Sequence, residues 1–308
     1  MICCKDLLTG QKTKRRYDAW GSLIYDQLEH GFSIEYAYDH LGNRTKMQLA
    51  DDSYVTYSYD PLYLDTICRY DAYGKEIFAH TCLQYDLAGN TLREQSGFLT
   101  EKVYGKTGGV VENRQAHLHQ KVLSTHPKGN IEQLQSEISG EQVLEEFFYD
   151  SFGYPTEEKG SLSKTYDYWI REPFSDQQAE RKGLVTELGR GTRCKRTYDQ
   201  NGSLQSERFS NKTALYDYDA LGRLIVYSIP GAFKIRYDYD GLHRRIAKTV
   251  YLAKGKAWEK KYSSEFIYDG DVEVGKCQYG SLIEFRTLKP VEKGKMPSIL
   301  FLEVNEEG

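Results

Sequence analysis

Long apolar runs are missing from this chain of 308 residues. The longest obvious ones, Leu224–Tyr227 and Ile299–Leu302, fall far short of the ~18 residues that cross a bilayer as a helix, so no membrane insertion is expected. Charge of one sign is missing too. With 41 Lys and Arg against 45 Asp and Glu the formal net charge is −4, and no strong field favours nucleic acid or anionic lipid. Cysteine is sparse: Cys3, Cys4, Cys68, Cys82, Cys194 and Cys277 are too few and too widely spaced for a disulfide scaffold, and reduced thiols are expected. The opening Met1-Ile2-Cys3-Cys4-Lys5-Asp6 puts charge where a signal peptide needs its apolar centre, so no export signal is read there.

Enzyme signatures are lacking as well. Gly105-Lys106-Thr107 ends like a P-loop, but the required upstream glycine falls on Thr100; Gly189-x-Gly191 has Cys194 where a dinucleotide fingerprint needs Gly. There is no Gly-x-Ser-x-Gly elbow, no His-Glu-x-x-His and no paired Cys-x-x-Cys. Two metal-like spacings remain, His117-x-His119 and His80-x-Cys82, each placing two potential ligands on one face of a strand. Zinc would require two such pairs to meet, which one sequence does not show, so no metal and no cofactor is expected.

What is abundant is tyrosine, 26 against 12 Phe and 3 Trp. Asp follows Tyr directly 14 times where chance would give about 1.7, so the pair is a repeated unit. Seven copies extend to Tyr-Asp-x-x-Gly: Tyr17-Asp18 with Gly21, Tyr38-Asp39 with Gly42, Tyr70-Asp71 with Gly74, Tyr85-Asp86 with Gly89, Tyr149-Asp150 with Gly153, Tyr198-Asp199 with Gly202, and Tyr218-Asp219 with Gly222. The period is 21 and 21 residues from Tyr17 to Tyr38 to Tyr59, and 20 and 21 from Tyr198 to Tyr218 to Tyr239. Tyr104 and His126 subdivide the longer gap as degenerate copies.

Each unit reads as a β-hairpin. In Ile34-Glu35-Tyr36-Ala37-Tyr38 and Tyr54-Val55-Thr56-Tyr57-Ser58-Tyr59, large residues alternate with small or polar ones at period two, as in half-buried strands. Asp-x-x-Gly then suits a type I turn, where the carboxylate accepts a backbone N–H and Gly supplies positive φ for a bulged hairpin. Tyr suits the last strand position because its ring covers apolar surface while its hydroxyl reaches a polar group at the turn. A second turn is expected at Gly31, Asp52, Gly191, Asn211 and Gly231-Ala232. The aspartates are therefore expected to hold backbone and to do no carboxylate chemistry. Ile131–Ile138 has helical spacing, yet Gly140 and the repeat phase favour a hairpin.

Tandem Tyr-Asp-x-x-Gly-Arg-Leu, as at Tyr218-Asp219-Ala220-Leu221-Gly222-Arg223-Leu224, resembles the YD repeat of the Rhs family, which includes bacterial polymorphic toxins, Tc-toxin shell components and teneurins. The resemblance implies an all-β fold, tandem hairpins forming a long curved antiparallel sheet that is part of a hollow shell. It divides the chain into an edge segment 1–16, a hairpin array 17–270 with an insertion near 172–182, and a segment 271–308 that lacks a toxin domain. The only Asp-Pro, Asp60-Pro61, lies inside a repeat, so no self-cleavage residues carry over. About 13 units, or about 26 strands at ~4.8 Å each, make one section of a wall and not a closed container. The function expected is structural and non-enzymatic: a shell section that encapsulates or presents a toxin or another polypeptide, in a fragment of a larger protein. Its partners are other shell sections or an effector chain. It acts secreted or at the cell surface within that assembly, and is cytoplasmic if an isolated fragment. The alternative is a surface module binding carbohydrate or protein through rows of Tyr such as Tyr57 and Tyr59. An effector enzyme could hide only in Lys254–Gly308, which is small and carries no motif.

Overall fold

The structure, a computed structural model, describes residues 2–5, 12–28, 30–151, 153–160, 164–167, 185–186, 194–209, 212–289 and 298–304. The proposed insertion at 172–182 lies outside them, as do Gly189, Gly191 and Asn211. All regular structure among the described residues is β-strand, in a 17-stranded and a 10-stranded sheet of antiparallel hairpins. This is the all-β hairpin fold expected from the repeat. Ile131–Ile138 is a strand, paired on both sides.

Alternation in sequence becomes alternation in burial. Along Ser33–Tyr38, Ile34 and Tyr36 are buried while Glu35 and Ala37 are exposed; along Tyr54–Tyr59, Val55 and Tyr57 are buried. Cross-strand register lines these residues into rows. Tyr36 lies opposite Met47, Met47 opposite Val55, and Val55 opposite Arg69; a second row runs Tyr57, Ile67, His80.

The chain divides into two compact units. The first comprises Met1–Leu99, Tyr237–Val250 and Lys260–Gly308, and the second Thr100–Arg236 and Tyr251–Glu259. Within the first unit, hairpins from the start of the chain share one core with hairpins from its end. Ile34, Tyr36, Met47, Leu49, Val55, Tyr57 and Ile67 pack with Ile267, Val274, Cys277, Leu282 and Phe285. Full burial of a side chain the size of Phe285 stabilises by about 1.5–3 kcal/mol. Gly275 lets two strands approach there: a Cβ on it would sit 2.3 Å from the carbonyl oxygen of Glu284.

In the second unit, Ala214 is the sole buried apolar side chain among the described residues, and Val103, Leu123, Leu144 and Phe148 are exposed.

Candidate functional site

The turn is the chemical unit that recurs. At Asp39 the backbone N–H bonds to the Asn43 carbonyl at 2.9 Å and the Gly42 N–H to the Asp39 carbonyl at 3.1 Å, while Asp39 Oδ1 accepts the N–H groups of Leu41 and Asn43 at 2.9 and 2.8 Å. Gly42 has φ of 86°, the left-handed region where a side chain is strained. The same pattern of backbone and carboxylate bonds occurs at Asp18, Asp86, Asp199 and Asp219. At Asp71 the carboxylate accepts from Tyr73 and Lys75, and at Asp150 from Tyr154. Asn90 donates a side-chain bond and its backbone N–H to Asp86, holding that carboxyl below its ordinary pKa. Backbone N–H groups do the same at Asp60 and, led by that of Arg223, at Asp219.

Each motif Tyr sits at a register shift just before its turn, as at Tyr17, Tyr38, Tyr70, Tyr85, Tyr149, Tyr198 and Tyr218. That kink lets several hydroxyls reach back to an earlier hairpin. Tyr38 Oη donates to the Leu23 carbonyl at 2.9 Å, Tyr85 to Leu64 at 2.5 Å, Tyr149 to Ile131 at 2.8 Å and Tyr268 to Arg245 at 3.0 Å. Each acceptor is the first strand residue after a preceding turn. A repeat therefore ties down a predecessor.

Degenerate copies keep the geometry with other residues. His126, counted in the spacing as a Tyr position, stands instead in the place of Asp, one residue on: its N–H bonds to the Asn130 carbonyl at 2.8 Å, and its ring Nδ1 accepts the Lys128 N–H at 3.3 Å. His243 stands in for Gly at φ of 65°, in the turn capped by Asp240. Gly105, the residue that opens the P-loop-like Gly-Lys-Thr, begins another such turn, with Gly108 at φ of 80°. Asp52 and Gly31 form the second turns, at φ of 67° and 94°, and Gly231 another at 76°.

Charge seals the first unit where its two ends meet. Arg44 donates both terminal nitrogens to Asp269, at 2.5 and 3.0 Å, with Tyr36 Oη donating to the same carboxylate at 3.1 Å. Burial raises the Tyr36 pKa, and the Asp269 charge adds to it. Burial works the other way on Arg44, but Asp269 outweighs it and holds the guanidinium charged. Arg69, wholly buried, donates to Glu303 at 2.9 Å and to the Tyr70 carbonyl at 2.8 Å, with its guanidinium 4.7 Å from the centre of the Phe285 ring. Phe78 stacks on Phe301 at 4.8 Å.

A polar cluster ends the core row that runs Tyr57, Ile67, His80. His80 Nδ1 lies 2.6 Å from Ser96 Oγ, His80 Nε2 3.5 Å from Cys82 Sγ and 3.7 Å from Glu94 Oε2. Lys289 Nζ donates to Glu94 Oε2 at 2.9 Å and to Thr91 Oγ1 at 2.8 Å. Glu94 escaped the sequence reading because it lies 12 residues beyond Cys82 and meets it only through the register that sets the two opposite. A second group of similar make-up, His30, Glu265 and Cys277, also lies in the first unit. Burial, helped by Glu265, pushes the Cys277 thiol up to about 12. His119, of the other spaced pair, bonds instead to Glu112 at 2.8 Å beside an open concavity of about 710 Å³.

No helix among the described residues is long and apolar enough to cross a membrane. A family model described as Teneurin YD-shell matches residues 93–257, more than half of the chain. The chain belongs to this YD-shell family. Among solved structures, it is similar to the TcdB2-TccC3-TEV crystal structure, with 12% identity over 96% of this chain and 19% of that one and a TM-score of 0.45. It is similar also to TcdB2-TccC3, with 11% identity over 90% of this chain and 22% of that one and a TM-score of 0.31. A porin-like protein from Bacteroides uniformis is covered to 91%, against 82% of this chain, at 10% identity and a TM-score of 0.19. No curated protein matches. This YD-shell chain thus spans about a fifth of the length of the first of these structures.

Proposed function

We propose that the chain is a wall section of a YD shell that encloses or presents another polypeptide, and that it works by shape and surface without catalysis. The carrying observation is the tandem of hairpins in which every described motif aspartate caps a turn and motif tyrosines tie successive hairpins together. Such a build extends by addition and leaves strand edges that pair with further sections. The uncovered apolar side chains of the second unit, Leu144 and Phe148 among them, support a polypeptide partner, either a neighbouring section or an effector chain. The assembly works outside the cell or at its surface.

The carbohydrate alternative needs free rows of rings. Tyr57 is buried in the core and Tyr59 packs partly buried against it, while the most exposed tyrosines among the described residues, Tyr73 and Tyr279, stand singly at turns, so the row named for sugar stacking packs against the core. Multi-angle light scattering of the purified chain over a concentration series, with a hydrophobic dye, tests the wall-section reading. Concentration-dependent association with dye binding is expected. A monomer at every concentration that takes up no dye overturns it.

A further inference from the structure

Polar groups are costly inside a core unless something compensates them. The inner face of the first unit nevertheless ends its apolar row with three adjacent chemistry-bearing side chains: His80, Cys82 and Glu94 are 1%, 6% and 9% exposed. Their ligand atoms all lie within 4.8 Å of one another. We infer that His80 Nε2, Cys82 Sγ and Glu94 Oε2 form a zinc-type metal site.

The geometry fits the ion. Zinc binds thiolate at about 2.3 Å and imidazole or carboxylate at about 2.0–2.2 Å, so tetrahedral ligands stand about 3.3–3.6 Å apart. The separations of 3.5 Å from Nε2 to Sγ and 3.7 Å from Nε2 to Oε2 need almost no closing, and Sγ and Oε2 lie within 4.8 Å of each other. Hairpin register brings them together: His80 and Cys82 are alternate residues of Glu76–Tyr85, and Glu94 faces Cys82 from Thr91–Ser96, just before the register shifts between Cys82 and Gln84. His80 is also held from behind. Its Nδ1 lies 2.6 Å from Ser96 Oγ, and the tautomer that donates this bond presents the Nε2 lone pair to Cys82 and Glu94, the support that ligating histidines use.

Charge identifies the competitor. Binding replaces the Cys82 thiol proton, which leaves to solvent, by a metal–sulfur bond, so thiolate and Glu94 carboxylate together neutralise a divalent ion. The Lys289 ammonium, now bonded to Glu94, then loses its counter-charge. It ends the strand Ser281–Lys289, bonded to Thr91 Oγ1 as well, with its side chain 14% exposed. Lys289 is thus a built-in competitor for the metal. That sets this cluster apart from an inert knot of hydrogen bonds, in which removing the lysine would only weaken the packing.

Cobalt(II) titration of the full purified chain, followed by its thiolate-to-cobalt absorption band and checked by zinc competition, tests the site. Expected are one band-producing cobalt per chain, loss of the band in Cys82→Ser, its persistence in Cys277→Ser, and binding roughly tenfold weaker in Glu94→Gln, which keeps shape and a partner for Lys289. Lys289→Met is expected to bind about tenfold more tightly. The absence of a thiolate band in the folded wild-type chain, or a band untouched by Cys82→Ser, overturns the proposal. So does weaker binding in Lys289→Met with an unchanged circular dichroism spectrum.

Discussion

Hairpins of one design serve two regions of this chain differently. In the first unit, rows such as Tyr36, Met47 and Val55 find a second set of strands to pack on, and Arg44, Arg69 and Lys289 stitch the two sets together. In the second unit the same turns and the same tyrosine tie at Tyr149 support strands whose large residues, Leu144 and Phe148, remain exposed. Turn chemistry thus specifies the strip, and burial is a separate matter decided by what the strip meets. The family match over residues 93–257 covers mostly the second region.

The contrast can be broken by substitution. Phe285→Ala removes a ring from the shared core of the first unit and is expected to cost about 3–5 kcal/mol in urea unfolding. Phe148→Ala, on the exposed strand face of the second, is expected to cost under about 1 kcal/mol. Similar costs would mean that the second unit has a core as well. Arg69→Ala strips a buried partner from Glu303 and is expected to cost about 3–5 kcal/mol, whereas removing the exposed Lys254 from Glu259 should leave the melting temperature unmoved. Gly275→Ala forces a Cβ into the Glu284 backbone and is expected to cost about 1–3 kcal/mol, read by hydrogen exchange along Val272–Gln278.

Smaller effects sharpen what the regions share. Tyr38→Phe and Tyr149→Phe each delete one hydroxyl tie, and each is expected to cost about 1 kcal/mol whichever unit it lies in, seen as faster amide exchange in the preceding turn. Acid should loosen turns in both units alike. The carboxyls of Asp60, Asp86 and Asp219 are held below their ordinary pKa, so the folded state binds fewer protons than the unfolded one there. Their stabilisation is complete above the ordinary carboxylate value of about 4 and fades as pH falls through the depressed values. Melting scans at falling pH should show this, with Asp86→Asn blunting part of the loss.

Much of the local design was legible because it is local. Tyr-Asp-x-x-Gly carries its own turn within five residues, and strand alternation follows from it. Substitutes were harder to see: His126 caps with a ring nitrogen, and His243 takes the left-handed position reserved elsewhere for Gly. Partnership across the core was not legible at all. Alternation at Val55 and at Leu144 looks alike in sequence, since period two says that one face differs from the other and not what covers it. For the same reason His80 and Cys82 could be paired by spacing, while Glu94 needed the register of the neighbouring strand.

The tyrosine tie gives the chain an arrow of time. The carbonyl of Leu23 waits 15 residues for the hydroxyl of Tyr38, that of Leu64 waits 21 for Tyr85, and that of Arg245 waits 23 for Tyr268. In synthesis order each such bend precedes its latch, since the tyrosine that closes it lies later in the chain. Deleting a whole period leaves the latches matched to bends, while deleting half of one breaks the latch that spans it.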